Sequence, residues 1–514
     1  MKRRTFLRHT THALGISAML GPMGFSSFAQ RISGFPEDSN KVLVLIYLQG
    51  GNDGLNTVIP LDQLSALNRV RRDVILPENK LLNLPGTQVA LHPSLAGLKE
   101  MFTEDRLRII QNVGYPEQNY SHFRSTDIWM SGSHSETLLA SGWTGRYLEQ
   151  EFPGYPEGYP NEQNTDPLAI EIGNGSSMLF QGNAAGMSMV LKDPTDFYDF
   201  VHDNEEEFPN TTTGDKLRHI RYTILQSKLY GEVVKNAASK IKNQKPYPEN
   251  DLAEQLKIVA QLIAGGLKTP LYLVRLRGFD THDNQVSSSD HTTGEHADLL
   301  GQVDNSILAF MKDLEYHGVD DRVTGMTFSE FGRRIISNGS LGTDHGAAAP
   351  MFIFGNNVVP GILGENPQIP SNATKKDNLP WQYDFKQIYG SILEQWFGST
   401  ESERSNVLLD DFSTVPVIKS VAVSAQDNVM DKEFKVYPNP VNELATVSFA
   451  ATGEETNIEI RDTHGKRMDL IYHGNPGVGL HSLQWNATRL PAGSYFVVLQ
   501  TGRSRKVFQV MKMK

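Results

Sequence analysis

The chain has 514 residues, 48 Lys and Arg against 59 Asp and Glu, a formal net charge of −11, and no cysteine. The acidic balance argues against nucleic acid or an anionic membrane surface as partner. The lack of cysteine excludes disulfides, thiolate metal sites, cysteine nucleophiles and cysteine-held iron–sulfur clusters.

At the N-terminus, Lys2-Arg3-Arg4-Thr5-Phe6-Leu7-Arg8 precedes an apolar stretch from Ala13 to Phe28, and Ser27-Phe28-Ala29 offers a small-residue cleavage site. A charged start, a short apolar stretch and such a site predict a signal peptide over residues 1–29. Gly15, Gly21, Pro22 and Gly24 interrupt the stretch, which falls short of the roughly 20 apolar residues that span a bilayer. Paired arginines followed by Phe-Leu resemble the twin-arginine export signal, which is read by a receptor. That resemblance implies passage through the inner membrane as an already folded protein. No other segment reaches membrane-spanning length.

So long a chain exceeds one hydrophobic core, and two or more domains are expected. Residues 40–416 read as the main domain. Lys41 to Leu48 is a near-continuous apolar run, which suits a strand buried on both faces of a parallel sheet. The region from Gly154 to Gly214 is rich in Gly, Pro, Asn and Asp and reads as insertions and loops. Asp215 to Ile241 and Glu295 to His317 carry apolar residues at helical spacing. The second has Leu299, Leu300, Val303, Ile307, Met311 and Leu314 on one face, and Gly318 is placed to end it. Strands are expected at Leu271–Leu276, Val323–Phe328 and Met351–Phe354. This alternation predicts an α/β fold with a mostly parallel sheet flanked by helices.

Residues 417–432 read as a linker. From Glu433 the text changes to short alternating strands, among them Asn457–Ile460, His481–Trp485 and Ser494–Leu499. They are separated by turn signals at His464-Gly465, Asn475-Pro476-Gly477 and Pro491-Ala492-Gly493, which predicts a small C-terminal β-sandwich over residues 433–514. Val436-Tyr437-Pro438-Asn439-Pro440, Ala492-Gly493-Ser494-Tyr495 and the closing Lys506-Val507-Phe508-Gln509-Val510-Met511-Lys512 resemble the C-terminal sorting domain of type IX secretion cargo. The resemblance implies a second export step, past the outer membrane, to secretion or the cell surface. An accessory sandwich that binds carbohydrate is the plain alternative.

Ligands of open α/β sheets lie beyond the carboxyl ends of the strands, and there this sequence gathers acids and histidines. Gln49-Gly50-Gly51-Asn52-Asp53-Gly54, Gly278-Phe279-Asp280-Thr281-His282-Asp283-Asn284 and Ser329-Glu330-Phe331-Gly332-Arg333 each follow a strand, and Gly342-Thr343-Asp344-His345-Gly346 precedes one. Carboxylate oxygen and imidazole nitrogen together suit zinc, manganese and similar ions, whereas calcium and magnesium prefer all-oxygen shells. Each cluster has a plain reading as well. Asn52-Asp53-Gly54 reads as a turn, Asp344-His345 as a loop ion pair, and Glu330 beside Arg333 and Arg334 as a salt-bridged helix start. Ser121 precedes an expected helix, where its hydroxyl caps the first turn or an anionic ester is favoured.

Leu48-Gln49-Gly50-Gly51-Asn52-Asp53-Gly54-Leu55-Asn56, Ser121-His122-Phe123, Asp280-Thr281-His282, Ser329-Glu330-Phe331-Gly332-Arg333 and Thr343-Asp344-His345-Gly346 together resemble the DUF1501 family. That family looks like a distant relative of the alkaline phosphatase and sulfatase superfamily. The resemblance implies an alkaline-phosphatase-like fold and a metal-dependent hydrolase of phosphate or sulfate esters, small or polymeric. Asp53, Asp344 and His345 would hold one divalent ion, and Asp280 with His282 would belong to a second. Ser121 would be the nucleophile, with Arg124 steadying a bound oxyanion and His122 and Glu330 as further catalytic residues. The superfamily's later histidine is missing from the main domain, and Asp280-x-His282 is tighter than its usual spacing. One ion is therefore expected rather than two, unless His122, His291 or Glu330 completes the second site. Ser121-His122-Phe123-Arg124 departs from the activation motif of sulfatases. These departures also suit a second reading, a non-catalytic secreted or surface binding protein on a hydrolase scaffold. A redox enzyme is disfavoured, since no Gly-x-Gly-x-x-Gly turn follows the first strand.

Overall fold

The computed structural model describes residues 40–161, 164–192, 229–419, 434–462, 466–501 and 504–513. The expected signal peptide and residues 420–432 of the expected linker lie outside them, as do residues 215–228 of the first expected helix, which is helical over 229–240. The chain divides into two compact units, one of which runs from Asn40 to Lys419. That boundary passes the expected Pro416 because Val417 and Ile418 are buried, Ile418 bridging to Val358.

The first unit is built on one nine-stranded sheet. In chain order its strands are β1 (Val42–Gln49), β2 (Leu107–Gly114), β3 (Ala169–Ile172), β4 (Met189–Leu191), β5 (Leu271–Arg277), β6 (Val323–Phe328), β7 (Ala349–Phe354), β8 (Gly361–Leu363) and β9 (Tyr383–Asp384). They lie in the order β8-β2-β7-β6-β1-β5-β3-β4, with β9 beside β2. All pairings are parallel except those of β7, which runs against both β2 and β6. The sheet is therefore mostly parallel, as the alternation of strands and helices predicts.

β1 lies at the centre, and its side chains explain the two layers. Val42, Val44, Ile46 and Leu48 point to one face, among residues of the helices Ala96–Thr103, Asp251–Ala264 and Glu295–Tyr316. Leu43, Leu45 and Tyr47 point to the other, among residues of the helices His122–Ser131, Trp143–Glu151 and Phe385–Gln395. Strand side chains alternate between faces, so a run with no polar break has to be covered on both sides. The six apolar residues expected on one face of Glu295–Tyr316 are all buried there. Gly318 follows that helix with φ +66°, a left-handed conformation that favours glycine. The loop reading of 154–214 is corrected within the described residues, because β3 and β4 extend the sheet there.

The described residues of the C-terminal unit form a three-stranded and a four-stranded antiparallel sheet. Val447, Phe449, Ile458, Ile460, Trp485, Val497 and Val510 share its core. Of the turn signals, His464-Gly465 lies outside the described residues.

Candidate metal centre

The carboxyl ends of β1, β2, β5 and β6 open on the same edge, and the antiparallel β7 starts there. The loops at this edge approach so closely that glycine is required. A Cβ on Gly50, at φ +128°, would lie 2.3 Å from the backbone nitrogen of Asp280. One on Gly346 would lie 2.2 Å from the carbonyl carbon of Arg333.

Arg333 fastens these loops together. Its fully buried guanidinium donates to the carbonyls of Gly50, Gly51, Phe279 and Thr343, and at 2.8 Å to Asp280 Oδ1. Nε and Nη1 take one carbonyl each, and the two hydrogens of Nη2 are shared among the other three acceptors. The expected helix start with a Glu330–Arg333 bridge is corrected. Residues 333–337 form a strand paired to Thr343–His345, and Arg333 meets Asp280.

Glu330 is fully buried, accepts from Gly50 N at 3.0 and 3.1 Å, and lies 2.8 Å from His122 Nδ1. His345 Nδ1 donates to the Tyr120 carbonyl at 2.8 Å. His282 Nδ1 lies 3.2 Å from Asp344 Oδ1. Each imidazole thus has its Nδ1 against an acceptor, which leaves three Nε2 atoms, and these converge on Asp280. His122 Nε2 lies 3.3 Å from Asp280 Oδ2, while His282 Nε2 and His345 Nε2 lie 3.2 and 3.1 Å from Asp280 Oδ1. The last two nitrogens are 2.9 Å apart.

Such a cluster is frustrated without a cation. A neutral imidazole donates from one nitrogen only, yet His345 faces an acceptor at both, and burial lowers its pKa. His122 Nε2 is shut off from solvent with no hydrogen-bond partner. Its Nδ1 contact with Glu330 raises its pKa, against the opposing effect of burial. Burial pushes the Asp280 carboxyl up, but hydrogen bonds from Arg333 and His345 outweigh it and hold the group at about 2. Burial likewise opposes, and Asn338 and His282 outweigh, in lowering Asp344. Three imidazole Nε2 atoms and one carboxylate turned toward one another are a candidate ligand set for a borderline divalent ion. Bonds of 2.0–2.1 Å to a tetrahedral ion would separate its donors by about 3.3 Å, close to the three contacts with Asp280 and to the 2.9 Å between His282 and His345. His122, Asp280 and His345 place their donor atoms within 4.8 Å of one another, and His282 Nε2 lies within 3.2 Å of the latter two. The Nδ1 partners Glu330, Asp344 and the Tyr120 carbonyl are the second layer that orients ligating histidines.

The expected site residues are thus regrouped. Asp280 and His282, assigned to a second ion, stand with His345. His122, expected to be catalytic, joins them as a donor. Asp344 moves back to hold His282. Asp53 does not join the cluster. It is 1% exposed, caps the short helix Gly54–Thr57, pairs with the buried Arg71, and accepts from Gln285 Nε2 at 2.6 Å. His291 is also elsewhere, against the Ile75 carbonyl. Ser121 is exposed at the N-cap of His122–Ser131, but its hydroxyl makes no capping bond. Arg124 is turned to the carbonyls of His134, Ser135 and Thr137 and serves to hold that loop. Sequence reasoning missed the roles of Arg333, Arg71 and the Tyr120 carbonyl. Only the first had a signal, an arginine inside a glycine-flanked strand-end segment.

Residues 229–403 match the family model described as Protein of unknown function (DUF1501). The match contains Asp280, His282, Glu330, Asp344 and His345. Residues 435–513 match the Secretion system C-terminal sorting domain, a tail that marks a protein for secretion and attachment at the cell surface. No curated protein matches the chain. Among solved structures, PorZ, an essential surface component of the type IX secretion system of Porphyromonas gingivalis, is similar at 19% identity and a TM-score of 0.14. That match covers 19% of this chain and 14% of PorZ, so this chain spans only a small part of that protein's length. A structure described under glycosaminoglycan metabolism by Bacteroides thetaiotaomicron is similar at 9% identity over 92% of this chain and 89% of that one, with a TM-score of 0.34. A protein in the alkaline phosphatase superfamily from Vibrio parahaemolyticus is similar at 10% identity over 88% and 87%, also at 0.34. Likeness at this level says nothing of chemistry. No helix among the described residues is long and apolar enough to cross a membrane.

Proposed function

We propose that this chain is an exported hydrolase of phosphate or sulfate esters that works with one divalent ion held by His122, His282, His345 and Asp280. The observation that carries the reading is the convergence of three Nε2 atoms on one carboxylate while every Nδ1 is engaged behind them. Three nitrogens and one oxygen favour zinc or manganese over magnesium or calcium. A bound ion there supplies Lewis acidity toward an ester oxygen. The protein's own groups do the rest. Glu330 and the Tyr120 carbonyl fix the tautomers of His122 and His345, and Arg333 keeps Asp280 ionised and aimed. Ser121, exposed one residue before His122, is the nucleophile in this reading. Twin-arginine export fits a site that is assembled, and loaded, before the first membrane is crossed. The type IX route then delivers the protein outside.

The test is metal analysis of the full chain matured through its own export route, with hydrolysis assays on aryl phosphates, phosphodiesters and aryl sulfates. We expect about one ion per chain and activity that a chelator removes and zinc or manganese restores. We also expect the ion to raise thermal stability, by about 2.7 kcal/mol at a hundredfold excess over its dissociation constant, and Asp280→Ala to abolish that rise. A chain that neither carries nor takes up metal sinks the proposal. A loaded chain that cleaves no ester, yet binds a glycan equally well after Asp280→Ala, favours the binding-protein reading.

A further inference from the structure

The three imidazoles are not held equally, and the inequality has a direction. His122 sits in the first turn of a ten-residue helix, with Nδ1 2.8 Å from the fully buried Glu330. His345 ends a strand in register with Arg333, with Nδ1 2.8 Å from a backbone carbonyl. His282 lies in the stretch between β5 and the Glu295–Tyr316 helix, outside any strand or helix. Its Nδ1 contact is longer, 3.2 Å, and is made to Asp344, whose side chain is 50% exposed and whose Oδ1 also accepts from Asn338 at 3.1 Å. The His282 side chain is the most exposed of the three, at 44% against 33% and 20% for His122 and His345. Asp280, although equally open, is pinned by Arg333.

Four donors fill a tetrahedral shell, and a site that acts on a substrate keeps one position open. We propose that His282 is the exchangeable donor. It closes the site in the resting protein and gives up its place to one oxygen of a tetrahedral oxyanion, phosphate or sulfate in kind. The exposed ring has solvent to swing into, and the half-exposed Asp344 keeps hold of its Nδ1–H outside the cluster. The inference rests on the cluster's being a metal centre, and it adds which donor yields.

Cobalt(II) makes this visible, because four-coordinate cobalt absorbs strongly in the visible range and higher coordination weakly. The full chain is loaded with cobalt and titrated with inorganic phosphate, alongside His282→Ala and His345→Ala. The expected result is an intense spectrum for the parent that phosphate changes saturably. His282→Ala should bind cobalt about 10- to 100-fold more weakly, the order by which loss of a supporting group weakens metal sites. Its spectrum should differ from the parent's before phosphate is added, with water in the vacated position, and it should bind phosphate several-fold more tightly than the parent. His345→Ala should lose cobalt far more completely. If His282→Ala matches the parent in affinity and spectrum, His282 is no donor. If it loses cobalt as fully as His345→Ala, and phosphate leaves the parent spectrum unchanged, it is a fixed one. Either result overturns the inference and leaves the metal centre standing. A parent chain that binds no cobalt overturns both.

Discussion

Asp53 and Asp280 follow neighbouring strands, both in glycine-flanked segments, and the protein uses them in opposite ways. Asp53 is 1% exposed, and its carboxylate is matched to Arg71, itself buried, and to Gln285. Around it Asn52 accepts from His296 and Thr57, and Thr343 donates to Gln285, so the Asp53 carboxylate sits inside a buried hydrogen-bonded network. Asp280 is 48% exposed and faces three imidazole Nε2 atoms besides Arg333, of which that of His345 is hydrogen-bonded to it at 3.1 Å. Both carboxylates meet a buried arginine, but Asp53 is closed off with Arg71, whereas Asp280 also faces the half-open imidazole cluster where the proposed reading places an ion. The same residue types therefore give a buried brace in one loop and a half-exposed cluster, the proposed binding site, in the next.

The sharpest way to break the comparison is to remove each carboxylate in turn. Removing one partner of a buried ion pair leaves the other charged and unsatisfied, at about 3–5 kcal/mol. Asp53→Ala is expected to cost that much in denaturant unfolding with a chelator present, with Arg71 stranded. Asp280→Ala under the same conditions should cost less, since Asp280 is half exposed and the buried Arg333 keeps its four carbonyls and the nearby charges of Asp53 and Glu330. Similar costs for the two would mean that the Asp280 cluster is a brace as well.

Acid separates the two regions next. Burial holds His296, which donates to Asn52, at about 4, and His92 beside it at about 3. An imidazole kept neutral in the folded chain binds fewer protons there than in the unfolded chain between about pH 4 and 6.5. Stability therefore rises with pH across that window and is lost on acidification. For His296 the loss approaches about 3 kcal/mol between pH 7 and 4. A His296→Gln variant should show a shallower dependence of the unfolding midpoint on pH. An unchanged slope would mean that acid acts elsewhere.

Much of this was legible in the sequence, and what was not has a physical reason. β6 and the helix Glu295–Tyr316 could be read because their burial is continuous or periodic. β3 could not, because Glu171 breaks its apolar run. In the fold that glutamate is buried against Arg275 and Ser177, a pairing no local pattern announces. Every residue of the cluster stands out in the sequence, as an acid or histidine near a strand end or at a helix start. Their grouping does not, because it depends on how far each loop reaches. Arg71, 18 residues from Asp53 in the chain, takes the place expected for an ion, and nothing at Arg71 itself marks it for that role. Arg333 stands near Glu330 in sequence, but residues 329–332 lie outside any helix or strand, and Arg333 meets Asp280 instead.

The smallest expected effects test the layer behind the donors. Glu330 accepts from Gly50 and from His122 at once. A Glu330→Gln side chain keeps the volume but offers one acceptor oxygen to two donors, and it loses the charge that sharpens the tautomer of His122. Metal affinity should fall about 10- to 100-fold, measured by competition with a chromophoric chelator, while the metal-free chain unfolds nearly as before. Asp344→Asn should do less, below about tenfold. Its contact with His282 is longer and half in water, where charge is screened. If Asp344→Asn proves the more damaging of the two, His282 is held as firmly as His122. The contrast drawn between a rigid pair of imidazoles and a yielding third would then fall with it.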